Sequence, residues 1–84
     1  MNNNLSLYNI FLAVAEAGST LGAAKTLFIS QPAVSKAISK LEASLEVSLF
    51  VRSKKGVRLT DDGLILYDRI KNAFEYIDEG ESVI

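Results

Sequence analysis

The chain has 84 residues, 49% of them apolar and 23% charged, with a formal net charge of −1. A single domain of this size buries roughly 60% of the surface its unfolded chain exposes. With no cysteine and no histidine, disulfides are excluded and a conventional zinc site is not expected. The longest apolar run, residues 10–15, is far too short to span a bilayer and has no basic region before it. No membrane association is therefore expected, and a cytoplasmic location is the default.

Asn2, Asn3 and Asn4 form a polar lead-in, with Asn4 placed to cap a first helix. That helix begins at Leu5 and carries Leu7, Ile10, Phe11, Val14 and Ala15 on one face; Gly18 is its stop. Ser19 can cap a second helix through Leu27, with Ala23, Ala24 and Leu27 as a slim apolar face. Alanines there allow another helix to pack close. Gly22 inside this helix costs about 1 kcal/mol relative to alanine, and nothing local in the sequence accounts for it.

Phe28 and Ile29 make a tight connection to the stretch around which the chain is organised, SQPAVSKAISKLE at residues 30–42. Ser30 caps it and Pro32 is tolerated in its first turn. Val34, Ile38, Leu41 and Leu45 recur at the spacing of a buried stripe. Between them Gln31, Ala33, Ser35, Lys36, Ser39 and Lys40 form a small, polar, basic face without a carboxylate. Small residues let a helix approach another surface closely. Gln, Ser and Lys donate hydrogen bonds to base edges and phosphates. On a lone helix such a face is usually only solvated. Joined by so short a turn to the helix before it, it makes a helix-turn-helix pattern.

After Leu45 the period changes. Leu49-Phe50-Val51-Arg52 and Val57-Arg58-Leu59 read as strands around Ser53-Lys54-Lys55-Gly56, and Gly56 supplies the positive φ of a tight hairpin. The result is a two-stranded wing with Lys54 and Lys55 at its tip and Arg52 and Arg58 at its base. Directly after a helix-turn-helix, that basic tip suits a phosphate or minor-groove contact. Thr60 then caps a long helix, with Asp61 and Asp62 complementing its dipole. Leu66, Ile70, Ala73, Phe74 and Ile77 lie in one stripe, flanked by Leu64 and Tyr67. The distal residues Phe74, Ile77 and Ile84 extend beyond what so small a body can cover, which implies a partner.

Charge is divided along the same boundary. Residues 1–59 carry seven Lys/Arg against three Asp/Glu, and residues 60–84 carry two against seven. A basic body of +4 and an acidic tail of −5 sum to the net −1, and a polyanion responds to the local field. The expected fold is mainly α: a winged helix-turn-helix of three helices plus a two-stranded wing over 1–59, followed by a linker and dimerisation helix over 60–84.

Taken together these residues resemble the N-terminal DNA-binding domain of the LysR-type bacterial transcriptional regulators. The resemblance covers Leu5 to Tyr67. It is carried by Phe11, Val14, Ala15, Glu16, Gly18-Ser19, Ala23-Ala24 and Leu27, then by Ser30-Gln31-Pro32-Ala33-Val34-Ser35, Ile38 and Leu41-Glu42. Leu49-Phe50, Arg52, Leu59-Thr60 and Gly63 complete it. The resemblance implies dimerisation through the linker helix, or a tetramer in the full-length protein. It also implies a C-terminal domain, outside these 84 residues, that binds a small-molecule effector. Four places depart from the family pattern. Thr20 replaces a bulky apolar residue, and Leu21 and Gly22 replace a polar pair. Lys36 replaces a common Arg, giving a point charge in place of a bidentate fork. Glu46 replaces a frequent Gly.

The expected function is sequence-specific binding of double-stranded promoter DNA as a dimer. Gln31, Ala33 and Ser35 would face base edges. Ser30, Lys36, Ser39, Lys40 and Arg52 would reach phosphates or bases, Lys54 and Lys55 would make wing contacts, and Pro32 lies among them. Leu66, Ile70, Ala73, Phe74 and Ile77 would form the dimer interface. The competing reading is a helical protein-interaction module without specific DNA binding. Enzymatic function is weaker still: no catalytic residues, cofactor or metal are expected, since the acids cluster on a solvent-facing helix and no glycine-rich phosphate loop occurs.

Overall fold

The computed structural model describes residues 5–84; the Asn4 cap falls outside the described residues. The elements are α1 (Leu5–Ala17), α2 (Thr20–Leu27), α3 (Gln31–Leu45), β1 (Phe50–Ser53), β2 (Gly56–Leu59) and α4 (Asp61–Ser82). Three of the four helices begin at a hydroxyl cap. Ser19 Oγ accepts the Gly22 N–H at 2.8 Å, Ser30 Oγ accepts the Ala33 N–H at 3.2 Å, and Thr60 Oγ1 accepts the Gly63 N–H at 3.0 Å. Gly18 ends α1 with φ 70°, as its position after the apolar stripe predicts. Phe28 and Glu46 end α2 and α3 in the same left-handed region without being glycine.

The core gathers one face from every helix: Phe11 and Val14 of α1, Ala23 and Ala24 of α2, Val34, Ile38 and Leu41 of α3, Ile70 of α4, and Leu49. Phe11 and Phe50 pack with ring centroids 5.3 Å apart, tilted by 48°, so the wing is anchored on α1. Two expectations about apolar faces need correction. Leu45 is not core; it is 38% exposed, lining an open groove with Val47, Leu49, Ile65 and Leu66. Ala37, inside the same helix, is buried instead. Phe74 is half-buried against the chain's own core and not left open, since α1 is long enough to lie under the middle of α4.

The wing is an antiparallel pair with Phe50 opposite Leu59 and Ser53 opposite Gly56. Leu49, expected as a strand residue, precedes β1 and is buried in the core. The turn is therefore only Lys54-Lys55, with Gly56 at φ 123°. Thr60 fastens the wing to α4: its hydroxyl donates to the Ser48 carbonyl at 2.7 Å and its N–H to the Leu49 carbonyl at 3.0 Å. Gly63 follows because a Cβ there would collide with the Leu49 carbonyl oxygen. Helix α4 then extends about 33 Å, giving the molecule dimensions of 44 × 27 × 22 Å. The fold is a winged helix-turn-helix with a long C-terminal helix.

Candidate nucleic-acid interface

Helix α3 presents two unlike sides. Val34, Ala37, Ile38 and Leu41 are buried, whereas Gln31, Pro32, Ala33, Lys36, Ser39 and Lys40 are exposed and Ser35 is half-buried. The helical period thus turns every expected basic residue, and the polar ones except half-buried Ser35, away from the core. Ser30 is exposed, and its side-chain oxygen is engaged by the Ala33 N–H of the cap. Glu46 lies at the far end of α3, about 22 Å along the axis from Gln31, so its carboxylate stands apart from the N-terminal half of the helix.

Gln31 is not free in solvent. Its amide Nε2 donates to Thr20 Oγ1 at 3.0 Å, joining the first residue of α3 to the first residue of α2. A cleft at this point is lined by Ser19, Thr20, Leu21 and Gln31 on one side and by Arg52, Ser53, Gly56 and Val57 of the wing on the other. The ladder explains why Arg52 reaches it. Phe50, Arg52, Val57 and Leu59 share one face of the ribbon, the face packed toward the helices, while Val51 and Arg58 share the other. The two wing arginines, alike in the sequence, are therefore separated: Arg52 enters the cleft with Gln31 and Arg58 lies on the opposite face. Lys54 and Lys55 are exposed at the tip.

The wing's position against α3 rests on Glu42. Its half-buried carboxylate accepts the Leu49 N–H at 2.6 Å and the Phe50 N–H at 3.4 Å, holding the chain entering β1. At the other end of β2, the Val57 N–H donates to the Gly18 carbonyl at 3.0 Å. Helix α3 and the ribbon are thus tied to one frame. Thr20 and Glu42 were not among the expected site residues. A hydroxyl at a position that the pattern reserves for an apolar residue was the one available sign of Thr20; for Glu42 there was none beyond its place in the motif.

The five expected interface residues come together in one apolar groove between α1 and α4. Leu66, Ile70, Ala73, Phe74 and Ile77 line it with Leu5, Tyr8 and Arg69. They differ in accessibility: Ile70 is buried, Leu66 and Phe74 are half-buried, and Ala73 and Ile77 are exposed. Tyr67 steadies this junction, its hydroxyl donating to Glu16 Oε2 at 3.3 Å with the Lys71 ammonium 5.8 Å from its ring centroid. Among the described residues, no three or more acids gather as a metal site and no helix is long and apolar enough to cross a membrane.

Comparison with known proteins agrees with this geometry. The chain is 40% identical over 75 residues to an uncharacterized HTH-type transcriptional regulator of Mycobacterium tuberculosis, spanning 89% of this chain and 24% of that protein. It is 52% identical over 61 residues to the uncharacterized HTH-type transcriptional regulator YoaU of Bacillus subtilis, spanning 71% of this chain and 21% of the relative. The chain thus covers about a quarter or less of the length of these curated relatives. Among solved structures, the BenM DNA-binding domain in complex with benA site 1 DNA superposes with a TM-score of 0.88 at 31% identity, covering 99% of this chain and 94% of that one. The CbnR DNA-binding domain in complex with DNA gives 0.85 at 34% identity, covering 98% and 92%. The family model described as "Bacterial regulatory helix-turn-helix protein, lysR family" matches residues 5–64, from the start of α1 into α4. On that match, and on the two-sided α3 and attached wing that it spans, the chain belongs to the LysR family of bacterial regulatory helix-turn-helix proteins.

Proposed function

We propose that this chain is the DNA-binding part of a cytoplasmic transcriptional regulator without enzymatic activity. It binds specific double-stranded promoter DNA as a homodimer. The observation that carries this reading is the exposed face of α3, which bears Lys36 and Lys40 among small polar residues and shares a cleft with Arg52 of the wing. A helix with such a face fits the major groove, where Gln31, Ala33 and Ser35 meet base edges. Ser30, Lys36, Ser39, Lys40 and Arg52 meet phosphates or bases, and Lys54 and Lys55 extend contact from the wing.

The apolar groove between α1 and α4 supports association of two copies, since Ala73 and Ile77 are exposed beside half-buried Leu66 and Phe74. A two-fold dimer presents two recognition helices about one DNA turn, or a multiple, apart. The chain spans only a fraction of its relatives, and neither effector binding nor a tetramer is assigned to these 84 residues. Selection from a random duplex pool at low salt tests the proposal. The expected outcome is an enriched sequence with two related half-sites. Retention without enrichment of any sequence would reduce the chain to a non-specific binder, and no retention would leave an interaction module.

A further inference from the structure

We propose that Thr20 sets the base preference of Gln31. By accepting the amide N–H of Gln31, it turns the side-chain carbonyl oxygen toward the groove, so that the half-site selects a base bearing a major-groove amino group. The inference deepens the DNA-binding reading and rests on it. Thr20 is the one buried polar residue among the described residues, 7% exposed, while its partner Gln31 is exposed. A threonine hydroxyl can be buried without cost only if it is hydrogen-bonded. Gln31 Nε2 meets that need at 3.0 Å.

The bond has consequences for readout. A free glutamine offers a donor and an acceptor and can turn its amide over to suit either. In the bond that the structure shows, Nε2 is held by Thr20 and the freely presented atom is Oε1, an acceptor; the reverse bond, with the Thr20 hydroxyl donating to Oε1, would present Nε2 and select guanine or thymine. In the major groove adenine presents its N6 amino group and cytosine its N4 amino group as donors, whereas guanine O6 and thymine O4 are acceptors. The second N–H of Nε2 remains available for adenine N7. The threonine sits where the family pattern has a bulky apolar residue, which could not hold the amide. The cleft shared with Arg52 keeps the pair at the DNA-facing side of the molecule.

The test compares enriched sequences for the wild-type chain, Thr20→Ser, Thr20→Val, Gln31→Ala and the Thr20→Val/Gln31→Ala double variant. Circular dichroism and melting temperature verify the fold of each. The wild type is expected to prefer adenine or cytosine at one position per half-site. Thr20→Ser keeps that preference. Thr20→Val, which matches threonine in shape and lacks the hydroxyl, lowers it about three- to tenfold at that position only, with the salt dependence of binding unchanged. Gln31→Ala removes the same preference, and adding Thr20→Val to it changes nothing further. Preference for guanine or thymine overturns the orientation. A Thr20→Val profile equal to wild type, or weakened equally at every position, overturns the positioning role while leaving the DNA-binding reading intact. A wild-type chain that enriches no sequence overturns both.

Discussion

Gly22 shows how a residue with an unfavourable helix propensity can relieve crowding at the cap of its own helix. A Cβ at this position would lie 2.8 Å from Ser19 Oγ and 3.1 Å from the Ala17 Cβ. The hydroxyl it would displace is the one capping α2 through Gly22's own N–H. Phe28 is the opposite case, a 94% exposed aromatic held at φ 58° where a glycine or asparagine is the ordinary choice. Nothing in the structure explains the ring. Glu42 carries the clearest single-residue consequence. Its carboxylate satisfies two backbone N–H groups between α3 and β1, and hydrogen bonds to a charged group contribute roughly 1.5–3 kcal/mol. Glu42→Ala should destabilise the domain by about that amount. The check is urea unfolding, where the midpoint falls with the slope unchanged; Glu42→Gln, which keeps an acceptor, should recover part of the loss.

At the scale of elements, the wing is both a structural appendage and an electrostatic one. Its inner face, Phe50, Val57 and Leu59, packs on the core, so the two-residue tip is free to carry charge without a role in stability. Lys54 and Lys55 are exposed, and neither side chain is among those that anchor the wing. If they neutralise phosphates, Lys54→Ala with Lys55→Ala should weaken binding about equally on all sequences. The slope of log affinity against log salt should fall by about 0.9 for each phosphate that is no longer neutralised. Titration by fluorescence anisotropy at several salt concentrations measures this. An unchanged slope would place the wing away from the DNA backbone.

For the whole molecule, the proposed assembly rests on the groove between α1 and α4. Phe74 is a poor probe of it, because its half-burial means a charge there would also damage the monomer. Ile77, 49% exposed and lining the same groove, isolates the interface. Burying such a side chain contributes roughly 1.5–3 kcal/mol, and a two-fold interface buries it once from each copy. The balance of −5 over residues 60–84 opposes association, and salt screens it. Ile77→Glu should therefore give a folded monomer by sedimentation velocity with unchanged helical circular dichroism. The wild type should dimerise more tightly as salt rises. A monomeric wild type at high micromolar concentration, or an Ile77→Glu dimer, would remove α4 as the interface.

Much of this architecture was legible in the residues because it depends on local physics. Ser19, Ser30 and Thr60 announce helix starts through hydroxyls that satisfy orphan N–H groups. Gly18 and Gly56 mark conformations closed to most side chains, and the period of Val34, Ile38 and Leu41 alone separates the inner from the outer side of α3. What only the tertiary structure decided were relations between segments distant in sequence. The exposure of Leu45 and the half-burial of Phe74 depend on how far each helix overlaps its neighbours, which periodicity cannot encode. The division of Arg52 from Arg58 depends on which face of the ribbon meets the body. The bond from Gln31 to Thr20 spans eleven residues and two helices. Side-chain chemistry declares what each residue can do; the packing of the helices determines which partner is within 3.0 Å to do it with.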